Sequence, residues 1–230
     1  AALLMQSNIK FNGALILQVF GDGPVKLAVV EVQPDFSVRA TATLMGEVAD
    51  GATLSQMVNV ANGGRCAITL DPRDRLPGQQ PYQGVVPLWD DQGEKIERFS
   101  EVLQHYMLQS EQLDTMLVLA ANEGVAAGLL IQRLPSGGVN NLQGTGRSNE
   151  DEIGRDEDYR RIATLAASLQ RDELLTLDVE TVLHRLFWEE KLLRSEPLEG
   201  ERGPRFACTC SRERVANMLR GLGAQEAESI

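Results

Sequence analysis

The sequence has few of the residues on which several common protein classes depend. Three cysteines in 230 residues do not make a disulfide framework, which favours a reducing, cytoplasmic setting. Two histidines leave little material for a Ser-His-Asp or Cys-His nucleophilic site, so hydrolase chemistry is disfavoured. No apolar run approaches the roughly 18 residues of a membrane-spanning helix. The opening residues also lack the basic and apolar regions of a signal peptide.

Positive charge is scarce as well. Lys and Arg number 22 against 33 Asp and Glu, which gives a formal net charge of -11. The electrostatic field of a protein with this net charge repels nucleic acids and anionic lipids, so we expect neither nucleic acid nor membrane as a partner. The hydrophobic content of 43% is ordinary for a folded protein and argues against disorder.

Short β-rich runs bounded by turn residues dominate the first 134 residues. The runs are 14–20, 25–32, 36–44, 65–70, 82–88, 115–121 and 125–134. A capping-box pattern at residues 53–56 predicts a short helix. A longer helix is predicted after Gly93 from apolar residues at three- and four-residue spacing. These residues are Ile96, Phe99, Val102, Leu103, Tyr106 and Met107. The mixture predicts an α+β domain, with helices packed on a β-sheet of mixed connectivity.

Several residues that could carry chemistry have simpler structural interpretations. Gly21-Asp22-Gly23-Pro24 lacks the third glycine of a phosphate-binding loop and ends in proline, so we predict a tight turn between strands. Cys66 alternates with polar residues in a strand-like run, which predicts a small buried hydrophobe. His105 lies nearly opposite the apolar stripe of its helix and His184 lies at the edge of its own. Both are predicted to be solvated or boundary residues.

Residues 135–158 are rich in Gly and Asn and end in acidic clusters, which predicts a linker or long exposed loop. The clusters lack the spacing of a calcium loop. Two amphipathic helices are predicted next. The first stripe is Tyr159, Ile162, Leu165, Ala166 and Leu169, and the second is Val179, Val182, Leu183, Leu186 and Phe187. Trp188 projects opposite the second stripe, so it either contacts a second surface or lies on the rim of the core.

Cys208 and Cys210 form a Cys-x-Cys pair whose sulfurs are close enough to share a metal ion, although a closed zinc site needs four ligands. Ser211 is placed as the N-cap of a following helix. The helix dipole, Arg212 and Arg214 then favour thiolate over thiol. The residues alone leave three interpretations open: a thiol oxidoreductase with an exchanging cysteine pair, a zinc-binding scaffold without redox role, and two incidental surface cysteines.

Several segments together resemble the redox-regulated bacterial chaperones of the heat-shock protein thirty-three family. In chain order they include residues 21–24, 81–86, 110–112, 126–128, 132–135, 186–190 and 206–214. The order is that of the family over nearly the whole chain. The Tyr-Gln-Gly-Val, Ser-Glu-Gln and Cys-x-Cys-Ser-x-Glu-Arg segments carry most of the specificity, although no single segment suffices.

The resemblance implies a holdase rather than an enzyme, one that acts without ATP and binds unfolding client proteins under oxidative stress. It implies a core domain over residues 1–134, a linker of loop and amphipathic helices over 135–204, and the start of a zinc switch over 205–230. In the family, the reduced, zinc-bound state is inactive. Oxidation forms disulfides, expels zinc and unfolds the switch and linker. A cytoplasmic homodimer is also implied.

Carried over by position, Cys208 and Cys210 match the first zinc-binding and disulfide-forming pair. The family's later Cys-x-x-Cys does not occur in these 230 residues, so they supply two of the four expected ligands. We therefore expect weak zinc binding by this stretch alone, and suppression of client aggregation even in reductant. The apolar surface expected to reach clients consists of Leu165, Leu169, Leu183, Leu186, Phe187 and Trp188.

Overall fold

The computed structural model describes residues 1–76, 78–134 and 149–208, together with Arg212 and Ala216. Its strands are β1 Gly13–Phe20, β2 Val25–Val32, β3 Ser37–Leu44, β4 Arg65–Pro72, β5 Tyr82–Pro87, β6 Thr115–Ala121, β7 Ala126–Gln132 and β8 Arg205–Phe206. One sheet has the order β5-β4-β1-β2-β3-β8, and β6 pairs with β7 in a separate hairpin. Strand β8 is parallel to β3, whereas the other neighbours are antiparallel.

Helices connect the sheet to the hairpin. They are α1 Ala2–Asn8, α2 Leu54–Val58, α3 Phe99–Glu111, α4 Asn149–Ala167, α5 Arg171–Thr176 and α6 Val179–Phe187. Helix α1 contacts β1, β2 and β7, while α3 contacts β5 and β6. Helices α4 and α5 pack on the β6–β7 hairpin, and α6 packs on α4. None of the helices in the described ranges is both long and apolar enough to cross a bilayer.

The main core follows from the alternation of apolar residues in the central strands. Leu15, Leu17 and Val19 of β1 are buried on one face of the sheet. The register places Leu17 between Val30 of β2 and Ile68 of β4, so three apolar side chains form a row across the sheet. Buried residues of α3 and β6 complete the same cluster.

The predicted α+β class is confirmed, and the predicted strands agree with the structure to within about two residues at each end. The capping box is also confirmed: the Gln56 amide donates to Thr53 Oγ1, and the Thr53 amide donates to the Gln56 side chain. Ile96 is buried but precedes α3, and its amide donates to the Leu88 carbonyl at 3.1 Å. Its inclusion in the helical stripe is therefore wrong.

The predicted loop over residues 135–158 needs a second correction. Helix α4 begins at Asn149, so the prediction of a loop is wrong from that residue onward. Residues 135–148 lie outside the described part of the chain.

The segment Gly21-Asp22-Gly23-Pro24 forms the predicted turn between β1 and β2. A Cβ atom on Gly21 would lie 2.0 Å from the Val25 carbonyl oxygen, so the turn requires glycine there. The Asp22 carboxylate accepts backbone N–H groups from Val60, Ala61 and Gly63 at 2.6–3.0 Å. Burial opposes ionisation of Asp22, but these donors outweigh it and lower its pKa. The motif is thus an anchor for the loop after α2.

We predict that Asp22→Asn destabilises the protein by about 1 kcal/mol at neutral pH, because an amide accepts fewer and weaker hydrogen bonds. The lowered pKa gives a contribution that is present above the ordinary carboxyl pKa of about 4 and lost as the pH falls through the native value. Urea unfolding at neutral and acidic pH measures this difference. The exposed Asp50→Asn is the control. A wild-type advantage that stays constant into acid would contradict the assignment.

Candidate functional site

The cysteine segment begins at the edge of the sheet. The Arg205 amide donates to the Phe36 carbonyl at 3.3 Å, and the Ala207 amide donates to the Val38 carbonyl at 3.2 Å. Cys208 follows directly and is exposed. Its predicted partner Cys210 and Ser211 lie outside the described residues. Of the helix predicted after them, only Arg212 and Ala216 are described, and both are helical. The domain boundary at residue 205 stays a prediction, and Arg205–Phe206 are a strand of the large sheet.

Arg205 attaches this segment to the turn between β2 and β3. Its Nη1 donates to the carbonyl oxygens of Asp35 and Glu201, each at 2.9 Å, and its Nη2 donates to Asp35 Oδ2 at 2.5 Å. Asp35 also accepts from the Ser37 hydroxyl at 2.7 Å and the Ser37 amide at 3.1 Å. These Ser37 bonds, followed by the Arg205 charge, lower the pKa of Asp35.

The zinc prediction depends on sulfur ligands. Among the residues that the structure describes, no three His, Cys, Asp or Glu side chains are grouped closely enough to hold a metal ion. Cys208 is an exposed thiol at the start of the segment, which suits one ligand of a two-cysteine contribution. Zinc binding by Cys208 and Cys210 therefore stays a prediction.

Cys66 and the two histidines lie where the sequence places them. Cys66 is fully buried beside Val19 and Val86 in the register of the sheet, and burial raises the pKa of its thiol to about 12. His105 is a boundary residue whose Nε2 lies 3.6 Å from Asp91 Oδ1, and His184 is exposed. The interpretation of Cys66 as a small hydrophobe is confirmed.

The six residues of the predicted client surface differ in exposure. Leu169 and Phe187 are buried, Leu183 and Leu186 are half-buried, and Leu165 is 36% exposed. Trp188 is 68% exposed, so it faces away from the side of α6 that packs, as the helical wheel predicts. Leu169 and Leu186 line one small cavity of about 290 Å³, whereas Leu183 lines a larger cleft.

That larger cleft lies beneath α5 and α6, which together with α4 we define as the helical layer. It measures about 810 Å³ and lies between α1, the β6–β7 hairpin and the α5–α6 pair. Its walls are mainly aliphatic. From the core side they include Leu3, Leu4, Leu17, Val30, Phe99 and Leu119, and from the helical layer Leu174, Leu175, Leu177, Val182 and Leu183. Packing between the two sides is therefore incomplete, unlike that of an ordinary core.

Helix α5 was missing from the predicted surface. Leu174, Leu175 and the following Leu177 are half-buried against the cleft. The signal was present as three leucines in four residues. Helix α5 has only six residues, which is too short for a periodic apolar pattern to be recognised.

Polar contacts also join the hairpin to the helical layer. Arg133, at the end of the hairpin, pairs with Asp114 at 2.9 Å and with Asp156 of α4. Arg171 of α5 donates to the Ala121 carbonyl at 2.7 Å. These groups are partly exposed, so each pair contributes at most about 1 kcal/mol.

The two described cysteines are predicted to react very differently. Cys208 should alkylate readily with iodoacetamide in the native reduced protein, and Cys66 should react at least about tenfold more slowly, because it is buried with a raised thiol pKa. Peptide mass spectrometry after timed quenching measures both rates. The denatured chain is the control, in which the rates converge. Equal rates in the native protein would contradict the placement of Cys66.

Comparison with known proteins gives a consistent result. The family model described as Hsp33 protein matches residues 1–230. The 33 kDa chaperonin of Chromobacterium violaceum is 43% identical over 230 residues, covering 100% of this chain and 68% of that protein. The 33 kDa chaperonin of Methylobacillus flagellatus is 41% identical over 233 residues, covering 100% of this chain and 69% of that protein.

A solved structure supports the fold independently. The crystal structure of the 33 kDa chaperonin of Thermotoga maritima matches 99% of this chain and 71% of that chain, with a TM-score of 0.64 and 20% sequence identity. The fold, the full-length family match and the named relatives agree with the resemblance seen in the sequence motifs. This chain belongs to the Hsp33 family.

Proposed function

We propose that the protein is a redox-regulated holdase that binds unfolding proteins without ATP. The observation that carries the proposal is an incompletely packed apolar cleft beneath a helical layer, in a chain whose relatives are named 33 kDa chaperonins. An exposed cysteine lies at the edge of the same fold. A chaperone function accounts for the family match without an enzymatic active site.

The helical layer supplies the adhesive surface in this proposal. The leucines of α5 and α6 are half-buried while these helices lie over the hairpin, and they enter water if the helices detach. Contiguous exposed apolar surface is the property by which a holdase binds unfolding chains. We assign client binding to Leu165, Leu169, Leu183, Leu186, Phe187 and Trp188, with the α5 leucines as additional members.

Cys208 and Cys210 are the sensor in this proposal. As thiolates they would hold two positions of a zinc site, and zinc when bound supplies a cross-link that stabilises the folded segment. Structural zinc contributes about 10–16 kcal/mol in small metal-folded units, against about 5–15 kcal/mol for a typical domain. Loss of the metal therefore suffices to unfold the segment that follows β8.

The redox step converts the two thiols to one disulfide. Each thiol loses a proton and an electron, one S–S bond forms, and a peroxide is reduced to two molecules of water. The thiols can no longer serve as metal ligands, because a disulfide lacks the thiolate charge. Reduction by a dithiol reverses the step.

The proposal also covers the oligomeric state of the protein and its cellular location. Phe206 and Leu193 are 78% and 92% exposed, and such large apolar side chains favour burial against a second copy. We propose a homodimer in the cytoplasm, where a reducing environment keeps both thiols available.

We predict that the full-length gene product suppresses light scattering by heat-denatured malate dehydrogenase after peroxide treatment, and that dithiothreitol reverses this. Cys208→Ser should abolish the peroxide response, because no Cys208–Cys210 disulfide can form. Zinc release should accompany activation. Cys66→Ala is the matched control and should respond like the wild type, since this buried thiol does not take part.

Three results would contradict this proposal. Lack of suppression by the oxidised protein at stoichiometric amounts would exclude the holdase. Retention of zinc under peroxide would favour the non-redox scaffold. Catalytic turnover of a dithiol substrate, abolished by Cys208→Ser, would instead favour the thiol oxidoreductase.

We further predict that Trp188→Ser lowers suppression by the activated protein at least about twofold, because it removes the largest exposed apolar side chain of the assigned surface. Its high exposure implies little loss of folding stability. Met45→Ser is the matched control, because Met45 is a 73% exposed apolar residue outside both that surface and the proposed dimer contact. Titration of chaperone against client measures both. Equal loss in the two variants would contradict the assignment.

A further inference from the structure

Strand β8 is weakly attached by its backbone alone. It contains two residues, and the amides of Arg205 and Ala207 donate to the carbonyls of Phe36 and Val38 at 3.3 and 3.2 Å. Phe206 is 78% exposed, so no buried side chain holds the strand. Short parallel pairing of this kind contributes little stability. The contacts that keep the segment on the sheet must therefore come mainly from side chains.

Arg205 supplies such contacts. One nitrogen bridges the Asp35 and Glu201 carbonyls and a second binds the Asp35 carboxylate, so a single guanidinium joins the β2–β3 turn to the stretch that runs from Glu201 to Arg205. Asp35 and Arg205 are 170 positions apart in sequence. Their pairing therefore closes the chain between the N-terminal sheet and the segment that precedes Cys208.

The acceptor side is preformed in the turn between β2 and β3. The Ser37 amide and hydroxyl fix the Asp35 carboxylate. The Gln33 amide donates to the Ser37 carbonyl at 2.9 Å and closes the turn. Phe36 has φ of 59°, a left-handed conformation that is unfavourable for a bulky residue and persists where its surroundings enforce it. Its carbonyl is the acceptor for the Arg205 amide.

We propose that Asp35 and Arg205 form a latch that sets how readily the Cys208 segment leaves the sheet and the chaperone becomes active. This inference rests on the proposed redox function. With the latch closed, the residues before Cys208 keep their place on β3. With it open, the short backbone pairing of β8 with β3 is the main contact that opposes release, and oxidation proceeds from a more frequently opened state.

The test uses the full-length gene product with Asp35→Asn, Arg205→Gln and Arg205→Lys. Arg202→Gln is the matched control, because it removes the same charge three residues away, from an exposed group 3.9 Å from Glu196. Two quantities are measured: hydrogen exchange of the amides of residues 205–208 in the reduced protein, and the rate of activation by a fixed peroxide concentration. Thermal unfolding verifies that each variant folds.

Asp35→Asn and Arg205→Gln should each accelerate both processes about two- to fivefold, the range expected for losing an exposed ion pair. Arg205→Lys should be intermediate, because lysine keeps the charge but lacks the planar fork. The reversed pair Asp35→Arg with Arg205→Asp should restore part of the wild-type rate. The Arg202→Gln control should match the wild type.

Unchanged exchange in the latch variants would overturn the proposal, and so would faster exchange with unchanged activation. An equal acceleration in Arg202→Gln would also overturn it, because the loss of one positive charge would then explain the faster rates without the latch. Failure of the proposed function is distinguishable: the wild type itself would then show no activation by peroxide, whereas failure of the latch alone leaves that response intact.

Discussion

Incomplete burial of the α5–α6 leucines against the hairpin is the constraint on which the structure depends. Half-buried aliphatic side chains gain only part of the roughly 25 cal/mol per Å² available from apolar burial. The cleft beside Leu183 shows that the two surfaces do not interlock. The partly exposed ion pair between Arg133 and Asp156 joins α4 to the hairpin and adds little. The leucines of α5 and α6 are thus less completely buried than the core residues of the sheet.

The sheet provides the contrast. Leu15, Ile68 and Val32 are almost completely inaccessible to solvent, and the antiparallel register aligns apolar rows across four strands. Asp22 and the buried Asn59, which donates to the Leu88 carbonyl at 3.1 Å, fix the loops around α2. A firm sheet beneath a loosely packed layer allows the layer to open by local unfolding without loss of the whole fold.

The sequence predicts the parts of this arrangement that depend on local pattern. Strands β2 and β6 match their predicted bounds, because alternation and turn residues define them. The opposite orientations of Phe187 and Trp188 follow from helical periodicity alone. Strand β8 has no such signal: two residues carry no period, and its pairing depends on a turn 170 positions away.

The candidate site likewise has features that the sequence predicts and features that it does not. Exposure of Cys208 and burial of Cys66 agree with their sequence contexts, one beside charged residues and one in an alternating strand. The cleft lined by Leu4, Leu119 and Leu175 was not predictable, because it arises where three distant segments meet without filling the space between them. Volume left empty between elements is a property of tertiary packing. Neither composition nor periodicity encodes it.

The most direct test of the central claim compares hydrogen exchange across the gene product before and after peroxide treatment. We expect amides of α5 and α6 to lose protection when client binding begins, while those of β1 and β4 keep theirs. Appearance of client binding with the helical layer still fully protected would contradict the account.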